Sequence, residues 1–238
     1  MQGMRPRLLS LALPVVLAGC ASLAGGGPGP TMPVALQPAT AAQVGVWVAA
    51  TQPSERRLLR FKWQFVDADK ATAGGSGSAR IAIPDSLRFD YRGPLGAGRG
   101  AAVVLGDSGL WAEPEAQFKK LVPNYALLWA MLGVVRGPSP QSVLFGLDDE
   151  RITAWRYVHG ADTVDYARTK GTPVQLVADV REGGKRIGRV VTTFDAMGVP
   201  TTSRLDVPAG PVRLTLRFTM VSTPPPLDPE IWHAPRDN

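Results

Sequence analysis

Few side chains in this chain of 238 residues are suited to catalysis or to metal binding. The chain has a single cysteine, Cys20, and two histidines, His159 and His233. A structural zinc site needs several cysteine or histidine ligands at short spacings, so these residues do not predict one. The acidic run 148–150 is either a solvated loop or a weak cation site. Because no glycine-rich phosphate loop precedes a helical segment, the sequence predicts neither a defined metal site nor a cofactor.

The segment 106–109, Gly-Asp-Ser-Gly, resembles the sequence around the nucleophilic serine of trypsin-like proteases. In that family the catalytic histidine and aspartate precede the serine, whereas both histidines of this chain follow it. An Asp-Ser-Gly sequence between Leu105 and Trp111 is also typical of a tight hairpin turn. We therefore predict a turn and no catalytic residue. A lipid-acting hydrolase would lack an assembled nucleophile, base and orienting group.

The N-terminal segment has the features of a secretion signal. Arg5 and Arg7 precede an apolar run, 8–17, which is shorter than the roughly 20 residues of a membrane-spanning helix. The run is followed by Leu-Ala-Gly-Cys, which resembles the lipobox of bacterial lipoproteins. In that family a peptidase cleaves before the cysteine, which is diacylated and N-acylated. The resemblance implies a signal peptide, 1–19, and a lipidated Cys20 that holds the protein stably on membrane lipid.

The residues after the lipobox indicate where the protein is located. Ala21, and not an aspartate, follows Cys20, which in Gram-negative lipoproteins implies sorting to the outer membrane. Residues 20–38 include the lipidated cysteine and a segment rich in glycine and proline, which predicts a tether. Such a tether keeps the domain within about 20–25 Å of the anchor. The expected location is the bacterial cell envelope, lipid-anchored on the periplasmic face of the outer membrane.

The composition favours a folded domain with a hydrophobic core and argues against nucleic acid as a partner. Hydrophobic residues make up 45% of the chain, which is enough to bury a core. The 26 basic and 20 acidic residues give a net charge of +6. No basic run or RNA-binding motif accompanies this charge, so no nucleic-acid partner is predicted. Weak attraction to anionic lipid is an equally simple explanation.

Alternation of apolar and polar residues predicts a mainly β domain over 39–223. About eleven strands in sequence-adjacent hairpins form an antiparallel meander, and a sheet of this size must curl. The glycines of 74–77 are expected in a turn between strands. The domain is α+β in class because helices interrupt the strands. The predicted helices are an N-terminal one over 40–51, a buried one over 125–135 and a short turn at 143–145, and a proline-rich tail, 224–238, is expected to run over the surface.

A loop after the strand 87–92 carries a large apolar side chain where polar residues are usual. Pro94, Leu95 and Gly96 form its tip. A leucine in this position either folds back over the core or protrudes as a small apolar finger toward a lipid. The sequence alone leaves both alternatives open.

The lipobox, the tether, the antiparallel meander with a helical insertion and the Pro-Leu-Gly loop together resemble the LolA/LolB-like lipoprotein-localisation superfamily. The resemblance covers most of 55–220 and is greatest to the LolB-like outer-membrane lipoproteins. It implies a strongly curved, incompletely closed antiparallel barrel with a helical lid and an apolar cavity for acyl chains. In LolB-like proteins the leucine of the protruding loop helps pass cargo into the membrane, and this role falls here on Leu95.

The resemblance implies a non-enzymatic carrier that binds acyl chains or lipidated cargo and aids its transfer to the outer membrane. Its expected partners are lipoprotein acyl chains and a LolA-like periplasmic carrier. The alternative is a structural or assembly lipoprotein whose packed sheet binds a protein in the envelope. Taken singly, each candidate cavity residue is better explained as an ordinary core residue. They are Phe61, Trp63, Phe89, Trp129, Leu216 and Phe218.

Overall fold

The computed structural model describes residues 29–33, 35–93, 98–210 and 212–233. Cys20, the signal peptide and the loop residues Pro94, Leu95 and Gly96 lie outside the described residues. The described part contains three α-helices, thirteen strands and a C-terminal 3-10 helix, Pro229–Trp232. In chain order the elements are β1 Gln37–Pro38, α1 Ala41–Ala49, β2 Arg57–Val66, β3 Thr72–Ala82, β4 Ser86–Arg92, β5 Arg99–Leu105, β6 Ser108–Glu113, α2 Glu115–Leu121, α3 Tyr125–Met131, β7 Val143–Asp148, β8 Ile152–His159, β9 Asp162–Thr169, β10 Gln175–Glu182, β11 Lys185–Phe194, β12 Pro200–Val207 and β13 Val212–Ser222.

The described strands form one antiparallel sheet in the order β1-β7-β8-β9-β10-β11-β12-β13-β2-β3-β4-β5-β6. Neighbours in the sheet are neighbours in sequence except at β1–β7 and at β13–β2, where Leu216 lies opposite Trp63. The two edge strands, β1 and β6, do not pair with each other, so the sheet is open. The predicted mainly β fold with an incomplete antiparallel barrel is therefore confirmed, with thirteen strands in place of about eleven.

The segment 143–145 is a strand and not the predicted helical turn. It begins β7, which pairs along its length with β8 and near its middle with β1. Val143 and Phe145 favour strands because branched and aromatic side chains pack well on a pleated surface. A single helical turn would also fix several residues for few hydrogen bonds. The helical prediction at this segment was wrong.

The glycines of 74–77 lie inside β3, and the turn before this strand is formed by 67–71. Opposite them, aromatic rings of β2 lie flat on the strand. A Cβ atom at Gly75 would lie 2.9 Å from the ring of Trp63, and one at Gly77 would lie 2.6 Å from the ring of Phe61. Glycine is needed here for this close approach, which local sequence does not reveal.

Helices α1 and α3 pack on the inner face of the sheet, the face that carries the main core. Thr40 and Gln43 form a capping box at the start of α1, as a predicted helix over 40–51 requires. Helix α3 begins at Asn124, whose side chain accepts a hydrogen bond from the backbone of Ala126 at 2.8 Å. Residues 127–132 are buried against β10, β11 and β12. Helix α3 therefore fills much of the concave side.

The chain already packs on the outer face of the sheet before residue 39. Met32 and Leu36 cover a small apolar cluster of Ala154, Ala167 and Val177. Nearby, a guanidinium nitrogen of β11 donates a 2.7 Å hydrogen bond to the carbonyl oxygen of residue 30. The folded part therefore includes about ten residues that the sequence assigned to the tether.

The C-terminal segment lies against β4 and β6. Arg88 donates a hydrogen bond to the backbone oxygen of Ile231, and the indole of Trp111 donates to that of Trp232 at 3.1 Å. The arginine also lies over the Trp111 ring, 5.5 Å from its centroid. These contacts fix a segment whose sequence is too rich in proline to predict a regular element.

Candidate functional site

An apolar cleft lies on the inner face of the sheet, between β2, β4, β13 and helix α2. The empty space between its walls, counted together with the open solvent at its mouth, is about 350 Å³. The strands contribute side chains that alternate toward the core, so the cleft follows directly from their period of two. The lining residues are Trp63, Phe89, Tyr91, Phe118, Val122, Leu214 and Leu216.

Aromatic rings set the shape of the cleft. Trp63 and Tyr91 are perpendicular, with ring centroids 6.2 Å apart. Phe89 and Phe118 are also 6.2 Å apart and meet edge to face. Opposite Tyr91, the strand β5 offers Gly100, where a Cβ atom would collide with the phenol ring. Large side chains thus alternate with glycine across neighbouring strands, and the rings can lie close to the backbone.

Helix α2 covers the cleft. Phe118 and Val122 face inward and are 2% and 5% exposed. On its other side the helix carries an exposed ion pair between Lys119 and Glu115, 2.6 Å, which lowers the pKa of the carboxyl. An exposed pair of this kind adds little to stability. Among the described side chains of this segment, Phe118 and Val122 therefore attach α2 to the core.

The cleft is narrow when α2 is in place. Only about 20 Å³ of its volume can hold the centre of a water molecule, which is room for about one or two waters. An acyl chain of several methylene groups needs more space. Entry of such a chain therefore requires Phe118 and Val122 to move.

The loop 94–97 leaves the sheet next to the cleft. Its base is closed by a 2.8 Å hydrogen bond from the backbone nitrogen of Gly93 to the oxygen of Gly98. The indole of Trp63 donates to the backbone oxygen of Arg92 at 3.0 Å. Burial raises the pKa of Tyr91, so its hydroxyl stays neutral in the cleft at physiological pH. The site thus joins an uncharged apolar lining to the base of the loop that carries Leu95.

The structure brings together part of the predicted cavity set. Trp63, Phe89 and Leu216 line the cleft. Phe61 lies behind them, stacked on Phe89 with centroids 5.2 Å apart, and Phe218 meets Phe61 edge to face at 6.2 Å.

Trp129 lies apart from the cleft. Its indole donates a 2.8 Å hydrogen bond to the oxygen of Gly106, in the β5–β6 turn, and its ring lies under Arg136 at 5.3 Å. The turn is at the opposite end of the sheet from the loop 94–97, because β5 runs from one to the other. Trp129 is therefore a core residue of α3 and not a lining residue.

Four lining residues were not among the predicted ones: Tyr91, Phe118, Val122 and Leu214. Tyr91 and Leu214 continue the alternating patterns of their strands, so the sequence contained a signal for both. Phe118 and Val122 are four residues apart, a spacing that places them on one helical face. Helix α2 itself was not predicted, although the four-residue spacing of Phe118 and Val122 is typical of one face of a helix.

The side chains first considered for chemistry do not meet. Gly106 and Asp107 form a two-residue turn, with φ of +59° at the glycine, and Ser108 follows it on the surface. His159 ends β8 and His233 follows the 3-10 helix, both exposed. In the described part of the chain, no group of three or more histidine, cysteine or carboxylate side chains is placed to hold a metal ion.

Across the described residues, no helix is both long enough and apolar enough to cross a membrane.

No protein-family model matches the sequence, and no curated protein matches it. Among solved structures, a LolA superfamily protein from Nitrosomonas europaea is similar over 82% of this chain and 98% of its own, with 8% identity and a TM-score of 0.41. A domain from Vibrio parahaemolyticus, described as an outer membrane lipoprotein-sorting protein, is similar over 81% and 97%, with 9% identity and a TM-score of 0.38. At such values neither structure bears on what this chain does.

Proposed function

We propose that this protein is a membrane-anchored lipoprotein that binds acyl chains in the apolar cleft and aids their transfer to the outer membrane. The supporting observation is the position of the cleft: an uncharged lining that includes Trp63, Phe89 and Leu216 lies beside the base of the loop 94–97. The acyl chains belong either to lipid or to lipidated proteins.

The chemistry of the lining favours an acyl chain over a polar ligand. A polar ligand needs a few well-placed donors or acceptors to fix its orientation, and the lining surface offers apolar atoms. An acyl chain needs only removal from water, which contributes roughly 0.8 kcal/mol per buried methylene. The role is therefore binding and transfer, and it requires no catalytic residue.

Binding begins with displacement of α2. Phe118 and Val122 occupy the space that the first methylene groups would take. When the chain enters, its apolar surface replaces that of the two side chains against Phe89 and Leu216. Because one apolar contact replaces another, the cost of opening is partly offset by the ligand itself.

Release is assigned to Leu95 and the anchor to Cys20. Leu95 is an apolar residue between Gly93 and Gly98, which lie beside the cleft, and it would help the acyl chain pass from the cleft into a bilayer. The lipidated cysteine keeps the domain at the periplasmic face of the outer membrane, where a LolA-like periplasmic carrier would deliver cargo. Pro94 and Gly96, the neighbours of Leu95 in the sequence, are proposed to act with it.

Binding of radiolabelled palmitate tests the cleft. Leu214→Trp adds bulk to the lining and should weaken binding at least tenfold, whereas Phe118→Ala empties space and should strengthen it. The matched control is Leu144→Trp, at a half-buried position on β7 far from the cleft. Equal binding by all of these folded variants would exclude the cleft as the ligand site.

Transfer of a lipoprotein to outer-membrane vesicles tests the loop. Leu95→Glu should abolish delivery while palmitate binding stays at the parent level, because the charge resists entry into the bilayer. Leu110→Glu, an exposed leucine on β6, is the control for charge alone. Unchanged delivery by Leu95→Glu would show that the loop has no part in release.

The packing of the inner face supports the alternative function, a structural or assembly lipoprotein that binds a protein partner. Helix α3 and the core side chains around it already fill the concave side near β10, β11 and β12. Native mass spectrometry of protein from its own host separates the two functions. Co-purified lipid supports the carrier, and its consistent absence supports the scaffold.

A further inference from the structure

Four basic side chains form one row across the outer face of the sheet. Arg217 of β13 lies directly opposite Lys62 of β2, and Arg92 of β4 lies directly opposite Arg99 of β5. Ser76 of β3 joins the two pairs, since it lies opposite both Lys62 and Arg92. With strands about 4.8 Å apart, the row extends over about 19 Å. We call these four side chains the basic row.

All members of the basic row are exposed, and none makes an ion pair with another described residue. Two outer-face carboxylates lie near the row in the pairing of the strands. Asp90 is two residues from Arg92 but is held by Arg80 and Arg88 at 2.9 Å each. Glu113 of β6 lies opposite Ala101, two residues from Arg99, and makes no ion pair with the row. Elsewhere on the outer face, arginines such as Arg156 and Arg189 are paired with aspartates. The positive charge of the row is therefore available to an external partner.

The row is unfavourable for the isolated protein. Like charges directly opposite each other on neighbouring strands destabilise a sheet. The basic row contains two such pairs, Arg217 with Lys62 and Arg92 with Arg99. An anionic surface that neutralises the four charges would remove this repulsion.

The position of the row identifies the anionic surface. At β4 and β5 the row ends at the base of the loop 94–97. The N-terminal segment also comes from this end of the sheet: Gly29 lines an outer-face groove with Asp67 and Pro208, residues of the β2–β3 and β12–β13 connections. Gly29 is nine positions after Cys20 in the sequence, so a lipid anchor at Cys20 would lie within about 30 Å of Gly29.

We infer that the basic row binds the headgroups of anionic phospholipids and sets the domain on the membrane with the loop 94–97 facing it. A row of four exposed cations within reach of a lipid anchor fits a charged bilayer surface, where each Lys or Arg contributes to attraction. The inference rests on the proposed lipid anchor at Cys20 but not on the cleft holding an acyl chain, because the row lies on the opposite face of the sheet from the cleft. According to this inference, anionic lipid is a class of partner that the protein binds through the basic row.

Vesicle binding of the unlipidated full chain, carrying Cys20→Ser, tests the inference. The parent should bind phosphatidylcholine vesicles that contain phosphatidylglycerol and should not bind pure phosphatidylcholine. Each double variant, Lys62→Gln with Arg217→Gln or Arg92→Gln with Arg99→Gln, should bind about twentyfold more weakly, since each charge is worth about fivefold. The salt dependence of binding should fall in parallel.

A matched control removes the same net charge elsewhere. Arg151→Gln with Arg168→Gln changes two arginines at the opposite end of the sheet, at the β7–β8 turn and the end of β9. This variant should bind as the parent does. Equal losses in the control and in the row variants would assign the binding to net charge and overturn the inference, as would unchanged binding by the row variants.

Two further measurements test the repulsion within the row and distinguish a lipid surface from an acidic protein partner. Removing the like-charge repulsion should leave the melting temperature of the row variants at or above that of the parent, and a lower value would contradict the repulsion. Polyglutamate should compete poorly with anionic vesicles. Tighter binding of the row to polyglutamate than to the vesicles would assign it to an acidic protein and overturn the lipid assignment.

Discussion

At Gly75, the absence of a side chain decides where an aromatic ring can lie. The Trp63 ring lies flat over this residue, and a Cβ atom would meet both that ring, at 2.9 Å, and the backbone oxygen of Arg92. Backbone atoms of a central strand cannot move aside without loss of the ladder hydrogen bonds. The glycine therefore shapes the cleft although it does not line it.

We expect Gly75→Ala to lower the free energy of unfolding by about 1–3 kcal/mol through this overpacking. Urea unfolding followed by tryptophan fluorescence measures the change. Gly171→Ala is the matched control, because a Cβ atom there meets no atom within 4 Å. Equal stability of the two variants would show that the ring can shift and that the cleft is more adaptable than its packing indicates.

Two buried tyrosines make the protein sensitive to alkaline pH. Burial raises the pKa of Tyr157 and of Tyr166 above the ordinary value of 10.0. The native state therefore keeps their protons at a pH where the unfolded chain loses them, and the native state binds more protons. Stability is fully present below pH 10 and is lost as the pH rises further.

We expect urea midpoints to stay level up to about pH 10 and to fall as the pH rises above that value, with a smaller fall in Tyr166→Phe, which has lost one of the two groups. Tyrosinate absorbance measured in parallel should rise together with unfolding. Ionisation of the buried tyrosines in protein that remains folded would contradict the burial of these groups.

At the scale of elements, the outer face is organised by charge across strands. Asp179 of β10 is fully buried, and Arg181, Arg186 and Arg189 approach it within 3.4, 2.8 and 3.3 Å. A second buried aspartate, Asp165 of β9, is paired with arginines in the same way. These clusters join strands β8 to β11 on the face away from the main core.

We expect Asp179→Asn to destabilise the protein by about 1–3 kcal/mol, because three partly exposed arginines lose the charged acceptor of their hydrogen bonds and ion pairs. Thermal unfolding gives the comparison. Asp148→Asn removes an exposed partner of Lys170, 2.8 Å away, and should change stability by less than about 1 kcal/mol. A larger loss of stability in Asp148→Asn than in Asp179→Asn would show that the buried aspartate is not the more important of the two.

The elements also show which parts of the site the sequence could predict. Strands β2, β4 and β13 were predicted from their alternation, and with them Trp63, Phe89 and Leu216 on one face. Helix α2 was missed because seven residues with several charged side chains carry a weak periodic signal. The strand β3 was interrupted in the prediction because its glycines, which make room for aromatic rings distant in sequence, are typical of a turn when only the local sequence is considered. Local patterns thus gave one wall of the cleft, and the opposite wall depends on tertiary packing.

At the scale of the whole molecule, an open curved sheet was predictable from the sequence. The pairing of β13 with β2, which connects its two halves, was not. Hairpins between successive strands follow from alternation and turn residues. The pairing of β13 with β2 joins residues such as Leu216 and Trp63, which no local pattern relates. Through this pairing the last strand, β13, lies beside the early strand β2, so residues from both ends of the domain sequence line the cleft.

The β13–β2 pairing has a consequence for how the chain matures. A polypeptide that emerges with its N-terminus first presents β2 to β6 as one hairpin array and β7 to β12 as another, each with an unpaired edge. Only the last strand, β13, closes the seam between the arrays. Contacts between residues so distant in sequence form slowly, and open edges invite association in the meantime. The lining residues of β13 and of β2 can therefore meet only after the last strand of the sheet has been synthesised.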